Sequence, residues 1–222
     1  MHDYRILAYM ITPEHPRNVV LLPGLPHGGL ANSPGNEIAQ RLQFDVVASR
    51  WRGDGYNVAV HPFGWYRERS FGNSMERLGN TIRSLGDKAC LVGFSAGGPE
   101  ALCAMQQFPD MVEGVATVAS PHRAPSSFMG QARIPGHLRQ ANKVADSFLL
   151  SLPTNDPRRR LIKTFYGNER RVRKEWSQLP HIDGHNIGGL THGHVILRGA
   201  LTERRVVQKA LERFWALGQN SQ

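Results

Sequence analysis

The sequence predicts an α/β protein with a mostly parallel central sheet and helices on both of its faces. Two observations carry that expectation. Short aliphatic runs alternate along the chain with longer stretches whose apolar residues recur at helical spacing. One of those runs ends in a glycine-rich turn, Gly93-Phe94-Ser95-Ala96-Gly97-Gly98, that leads directly into a helix-like segment. Continuous rather than alternating apolar runs are what strands buried on both faces require.

Taken in order, Val19-Val20-Leu21-Leu22 reads as a buried strand closed by Pro23-Gly24. A helix is expected from Asn36 to Trp51, with Ile38, Leu42, Phe44 and Val47 on one face. Tyr56 to Val60 reads as the next strand, and Asn73 to Leu85 as a helix carrying Met75, Leu78, Ile82 and Leu85. Ala89-Cys90-Leu91-Val92 is a third strand, Glu100 to Phe108 a helix stopped by Pro109, and Val112 to Val118 a fourth strand. From 123 to 156 the periodicity weakens, which suggests a small helical lid or an ordinary insertion, with one helix around Leu138 to Leu150. Leu161 to Tyr166 is a candidate strand, and Leu201 to Leu217 a closing helix with Val206, Val207, Leu211 and Phe214 on one side.

Composition limits the alternatives. At 222 residues, with 40% hydrophobic and 20% charged, the chain suits one globular domain over 1–222. No apolar run reaches membrane-spanning length, and the first residues lack the apolar core of a signal peptide, so a cytoplasmic location is expected. The two cysteines, Cys90 and Cys103, lie in apolar surroundings and read as buried thiols. The net charge is +9, and much of the basic excess sits between Arg158 and Lys174. Without interleaved aromatics or a nucleic-acid module, that stretch reads as a solvated surface, and no nucleic-acid partner is expected.

Gly-x-Ser-x-Gly carries little information alone; its setting between a buried strand and a helix gives it meaning. A serine in so tight a turn needs small neighbours if strand and helix are to approach, and Gly93, Ala96, Gly97 and Gly98 meet that need. Upstream, Pro23-Gly24-Leu25 follows the first strand, where backbone N–H groups could face a developing oxyanion.

On these segments, together with Val115-Ala116-Thr117-Val118-Ala119-Ser120-Pro121-His122, the run from Val19 to His122 resembles the first half of the α/β-hydrolase fold, in its lipase and esterase branch. The family usually has His-Gly where this chain has Pro-Gly, a mild departure because the donor there is a backbone group. The resemblance implies Ser95 as nucleophile, with the N–H groups of Leu25 and Ala96 as the oxyanion hole. It also implies an order of serine, acid, histidine. Gly193-His194-Val195-Ile196-Leu197 fits the histidine position best, with His192 as the alternative. For the acid, counting back from Val172 gives Glu169, while Asp183 stands in the loop before the histidine, and both remain open.

His181, Asp183, His185, His192 and His194 offer metal-ligand residue types but no recognised zinc spacing, so no metal or other cofactor is expected. The implied chemistry is hydrolysis of a small-molecule carboxylic ester through a covalent acyl-enzyme. A thioesterase or amidase would use the same groups, and a non-catalytic binding protein of this fold is the alternative from another class. Phe128, Met129, Phe148, Leu149 and Leu150 would line the acyl pocket if the 123–156 region covers the site.

Overall fold

Six strands pair in parallel in one sheet, in the order β2-β1-β3-β4-β5-β6. The structure is a computed structural model, described here for residues 17–25, 36–62, 70–86, 88–123, 134–169, 172, 174–177, 182 and 184–219. The expected aliphatic runs form β1 (Asn18–Leu22), β2 (Asn57–Val60), β3 (Ala89–Phe94), β4 (Val112–Val118) and β5 (Ile162–Tyr166). An edge strand, β6 (Gly184–Asn186), completes the sheet and was not expected from the sequence. In β1 and β3 every residue is buried, as a strand covered on both faces must be.

Helices lie on both faces. One face carries α2 (Phe71–Arg83), α3 (Gly97–Gln107) and α4 (Gly136–Ser151). Their buried residues, among them Met75, Leu78, Ile82, Leu102 and Phe148, form one cluster with Val20, Leu22 and Leu91 of the sheet. The other face carries α1 (Asn36–Gly53), α6 (His192–Leu197) and α7 (Arg204–Gln219), while the short α5 (Lys174–Ser177) follows β5. Phe44, Trp51, Val195, Leu211 and Phe214 form a second cluster there with Val19, Val92 and Phe94. Successive residues of β3 thus feed opposite cores, the period-two rule of a strand.

Within the region expected to be a lid, α4 lies against α3. Leu138, Ala141, Ala145, Phe148 and Leu149 are buried in the first core, and the Cys103 thiol donates to the Ala141 carbonyl. Burying a side chain such as Phe148 contributes about 1.5–3 kcal/mol, which anchors this helix to the domain. Leu150 is 64% exposed. Phe128 and Met129, expected to line a pocket, lie outside the described residues.

Part of the basic stretch has internal work. Arg158 pairs with Asp156, and Arg159 donates to the Leu149, Leu152 and Pro153 carbonyls where α4 ends. Lys174 stands over the Tyr166 ring. Both cysteines are buried and free, and burial pushes both thiols well above their ordinary pKa. Among the described residues no helix is long and apolar enough to cross a membrane.

Candidate active site

Ser95 stands between the last residue of β3 and the first turn of α3 with φ at 51°. A left-handed backbone at a serine is uncommon and costs free energy, so the surroundings must enforce it. The Ser95 N–H donates to the Val118 carbonyl at 2.8 Å, and the Gly98 N–H donates back to the Ser95 carbonyl at 3.1 Å. Strand and helix meet so closely here that a Cβ on Gly93 would come within 2.5 Å of the Gly97 carbonyl oxygen. The turn therefore demands glycine, and it projects the serine side chain off the carboxyl end of the sheet.

The chain leaving β1 passes directly in front of that serine. A Cβ on Gly24 would lie 2.6 Å from Ser95 Cβ and 3.3 Å from Ser95 Oγ. Leu25 follows in sequence at this contact, while Ala96 opens α3 at the positive end of its dipole.

The histidine that meets Ser95 is His192, not the expected His194. His192 Nε2 lies 2.7 Å from Ser95 Oγ, and its Nδ1 lies 2.6 Å from Glu169 Oε2. The reason is local. The segment 192–197 is helical rather than extended, and it starts at His192, with the Thr191 hydroxyl capping it by accepting the His194 N–H at 3.3 Å. Two residues further along a helix is a rotation of about 200°, so His194 turns to solvent, where it is exposed. Thr191 was the sequence signal for this helix start, since threonine is a strong N-cap residue.

Of the two candidate acids, Glu169 is the one beside His192. It follows β5, is 7% exposed, and is joined to the imidazole through one oxygen. Its other oxygen, Oε1, is buried without a hydrogen-bond partner among the described residues. Asp183 and His181 lie outside the described residues. His185 sits on β6 with its ring edge against Phe165 and is exposed.

A carboxylate can only accept, so a Glu169 carboxylate requires the proton of this pair to sit on Nδ1. Nε2 is then left to accept from the Ser95 hydroxyl. A serine hydroxyl, an imidazole and a carboxylate in line can pass the hydroxyl proton to the imidazole while the carboxylate holds the ring's tautomer and orientation. Among the described residues no three His, Cys, Asp or Glu side chains are grouped to hold a metal ion.

Residues 17–193 match the family described as alpha/beta hydrolase fold. The chain belongs to that family. Solved structures of this α/β hydrolase's fold include a monoacylglycerol lipase from Paleococcus ferrophilus, at 15% identity and TM-score 0.59, covering 89% of this chain and 95% of that one. The mature form of the lipase BlEst2 from Bacillus licheniformis aligns at 20% identity and TM-score 0.56, over 89% of this chain and 93% of that one. MGS-MChE2, an alpha/beta hydrolase enzyme from a lagoon-sediment metagenome, aligns at 17% identity and TM-score 0.57, over 90% and 92%. At such identities the likeness is one of fold. No curated protein matches the chain by sequence. In this α/β hydrolase Ser95, Glu169 and His192 all stand beyond the carboxyl ends of parallel strands, on the connections after β3, β5 and β6. Side chains from three separate stretches of chain therefore converge at one end of the sheet.

Proposed function

We propose that this α/β hydrolase is a serine hydrolase that cleaves carboxylic esters of small molecules, with Ser95 as nucleophile, His192 as general base and acid, and Glu169 as the acid behind it. The observation that carries this reading is the continuous relay from Ser95 Oγ through His192 to Glu169, with contacts of 2.7 and 2.6 Å. Attack on the ester carbonyl forms the Ser95 C–O bond while the hydroxyl proton moves to His192 Nε2. That proton then goes to the departing alcohol, and a water, deprotonated by the same nitrogen, releases the carboxylic acid.

The carbonyl oxygen turns negative in each tetrahedral intermediate. Ala96 N–H and Leu25 N–H are the proposed donors. The close approach of Gly24 to Ser95 supports Leu25 in that role, and the start of α3 supports Ala96.

A fluorophosphonate probe tests the assignment, since it reacts with an activated serine. The expected result is one label per chain, lost in Ser95→Ala and in His192→Ala, together with turnover of p-nitrophenyl esters. A folded wild-type protein that never reacts, or a Ser95→Ala variant that labels equally well, overturns it.

A further inference from the structure

We propose that Arg198 is a positioning residue, one that clamps the loop carrying His192 so that the imidazole stays in line between Ser95 and Glu169. The inference rests on the relay proposed above. Two facts make such a clamp necessary. Glu169 reaches His192 through a single oxygen, with Oε1 unpartnered among the described residues, so the carboxylate alone does not fix the ring's place. The loop before His192 also contains Gly188 and Gly189, both left-handed with φ of 73° and 107°, a pair of residues with unusually free backbones.

The structure restrains that loop from three sides. The Ile187 N–H donates to the Tyr166 carbonyl at 2.9 Å, and the Asn168 N–H donates to the Gly189 carbonyl at 3.0 Å, so the loops after β5 and β6 are joined just before Glu169. Asn186 extends the seam, with its amide donating to Asn168 Oδ1 at 3.2 Å and its Oδ1 accepting from the Gly188 N–H at 2.8 Å. Arg198 closes the third side. It follows α6, the helix that His192 opens, and its Nε donates back to the Ile187 carbonyl at 2.6 Å. Residues 187 to 198, with His192 between them, are thereby closed into a loop by one guanidinium.

A second observation fixes the guanidinium itself. Arg198 also donates to Glu203 Oε1 at 2.7 Å. In an α-helix, residues five apart do not face one another. Here Arg198 to Thr202 forms a wide π-type turn, with the Glu203 N–H bonded to the Arg198 carbonyl, and that turn brings the two side chains together. Such turns occur mostly as single insertions and often at functional sites. Both side chains are about a third exposed, at 34% and 33%, so the ion pair itself adds little stability. Its consequence is geometric: the planar fork holds a carboxylate with one arm and the His192 loop with another, which a lysine cannot do at once.

The test uses the full chain and two readouts. Steady-state turnover of a p-nitrophenyl ester separates kcat from KM, and proton NMR follows the downfield Nδ1 proton of His192 in its bond to Glu169. Arg198→Met is expected to lower kcat about tenfold or more with KM unchanged, because displacing a reacting group by a fraction of an ångström acts on the chemical step. The downfield resonance should shift or broaden, and Arg198→Lys should recover part of both. Glu203→Gln, which leaves the bond to Ile187 in place, should move both readouts in the same direction by less, and it serves if Arg198→Met does not fold. Wild-type kcat together with an unshifted resonance in Arg198→Met overturns the clamp. A wild-type protein inert to esters and to fluorophosphonate instead overturns the relay's proposed role. In that case the resonance alone decides whether Arg198 positions the ring.

Discussion

At the scale of single residues, the two histidines 192 and 194 make the sharpest contrast. His192→Ala should abolish ester turnover, whereas His194→Ala, at an exposed position, should leave it within about twofold, as surface changes away from a site do. Glu169→Gln keeps the shape but offers Nδ1 an ambiguous partner, and a drop in kcat on the order of 10³–10⁴ is expected from the wrong tautomer. If instead Asp183→Asn is the carboxylate change that removes turnover, the acid has been misassigned. The serine was legible because its requirements are steric and local, written in Gly93, Ala96, Gly97 and Gly98. The histidine was narrowed only to a pair, because choosing within it depends on the phase of a helix whose start is marked by Thr191 alone. The acid could not be fixed by counting, since the count back from Val172 gives Glu169 while Asp183 stands equally in the chain before the histidine. A buried residue outside the relay gives a separate prediction. His122 is wholly buried, with Nε2 2.9 Å from Thr117 Oγ1, and burial holds its pKa down to about 3 from an ordinary 6.5. The folded chain keeps it neutral while the unfolded chain protonates it. Its contribution is therefore full above pH 6.5 and is lost as the pH falls toward 3, by up to about 1.4 kcal/mol per pH unit. Urea unfolding of His122→Gln should show a flatter decline over that interval; an unchanged slope would remove His122 as its source.

At the scale of elements, α4 separates two ideas about the region between 123 and 156. A cover that opens would exchange its amide hydrogens quickly, because few contacts hold it. The packing of Leu138, Ala141, Ala145, Phe148 and Leu149 into the first core predicts the opposite: amides of α4 should be protected nearly as strongly as those of α3. Phe148→Ala should cost roughly 3–5 kcal/mol, read from urea unfolding, as truncation of a buried aromatic does. Fast exchange along the whole of α4, with little loss of stability in Phe148→Ala, would restore the mobile cover. The helix itself was legible from its apolar spacing. Its function was not, since burial against α3 and burial against a substrate need the same residues. For β6 the reason differs. Gly184-His185-Asn186 contains no apolar residue, so no periodicity marks it, and it becomes a strand only through pairing with Thr164, Phe165 and Tyr166 of β5. Short, polar edge strands are a common protection against further pairing, which is why they escape a search for hydrophobic runs.

Across the whole molecule, the sheet divides the buried apolar residues into two cores, one under α2, α3 and α4 and the other under α1, α6 and α7, with the partly buried Leu161 touching both. The relay draws on both sides of that division: α3, behind Ser95, packs on the first core, and α6, behind His192, on the second. Its geometry therefore depends on the sheet as a rigid plate between the cores, and the parallel registers of β3 with β4 and of β4 with β5 supply the rigidity. Damage to one core should reach the other only through global unfolding. Ile82→Val in the first core should cost about 0.5–1.5 kcal/mol and Leu211→Ala in the second about 2–5 kcal/mol, both being wholly buried. Because they belong to cores on opposite faces of the sheet, their effects should add to within about 0.5 kcal/mol in the double variant, with a single transition by circular dichroism and by fluorescence. A second transition, or a coupling well beyond that margin, would mean that the faces unfold separately or communicate through a sheet less rigid than its pairing implies. In that event Leu211→Ala, 19 residues from His192, the nearest relay residue in sequence, should also lower ester turnover in the still-folded protein. With a rigid sheet it should lower stability alone.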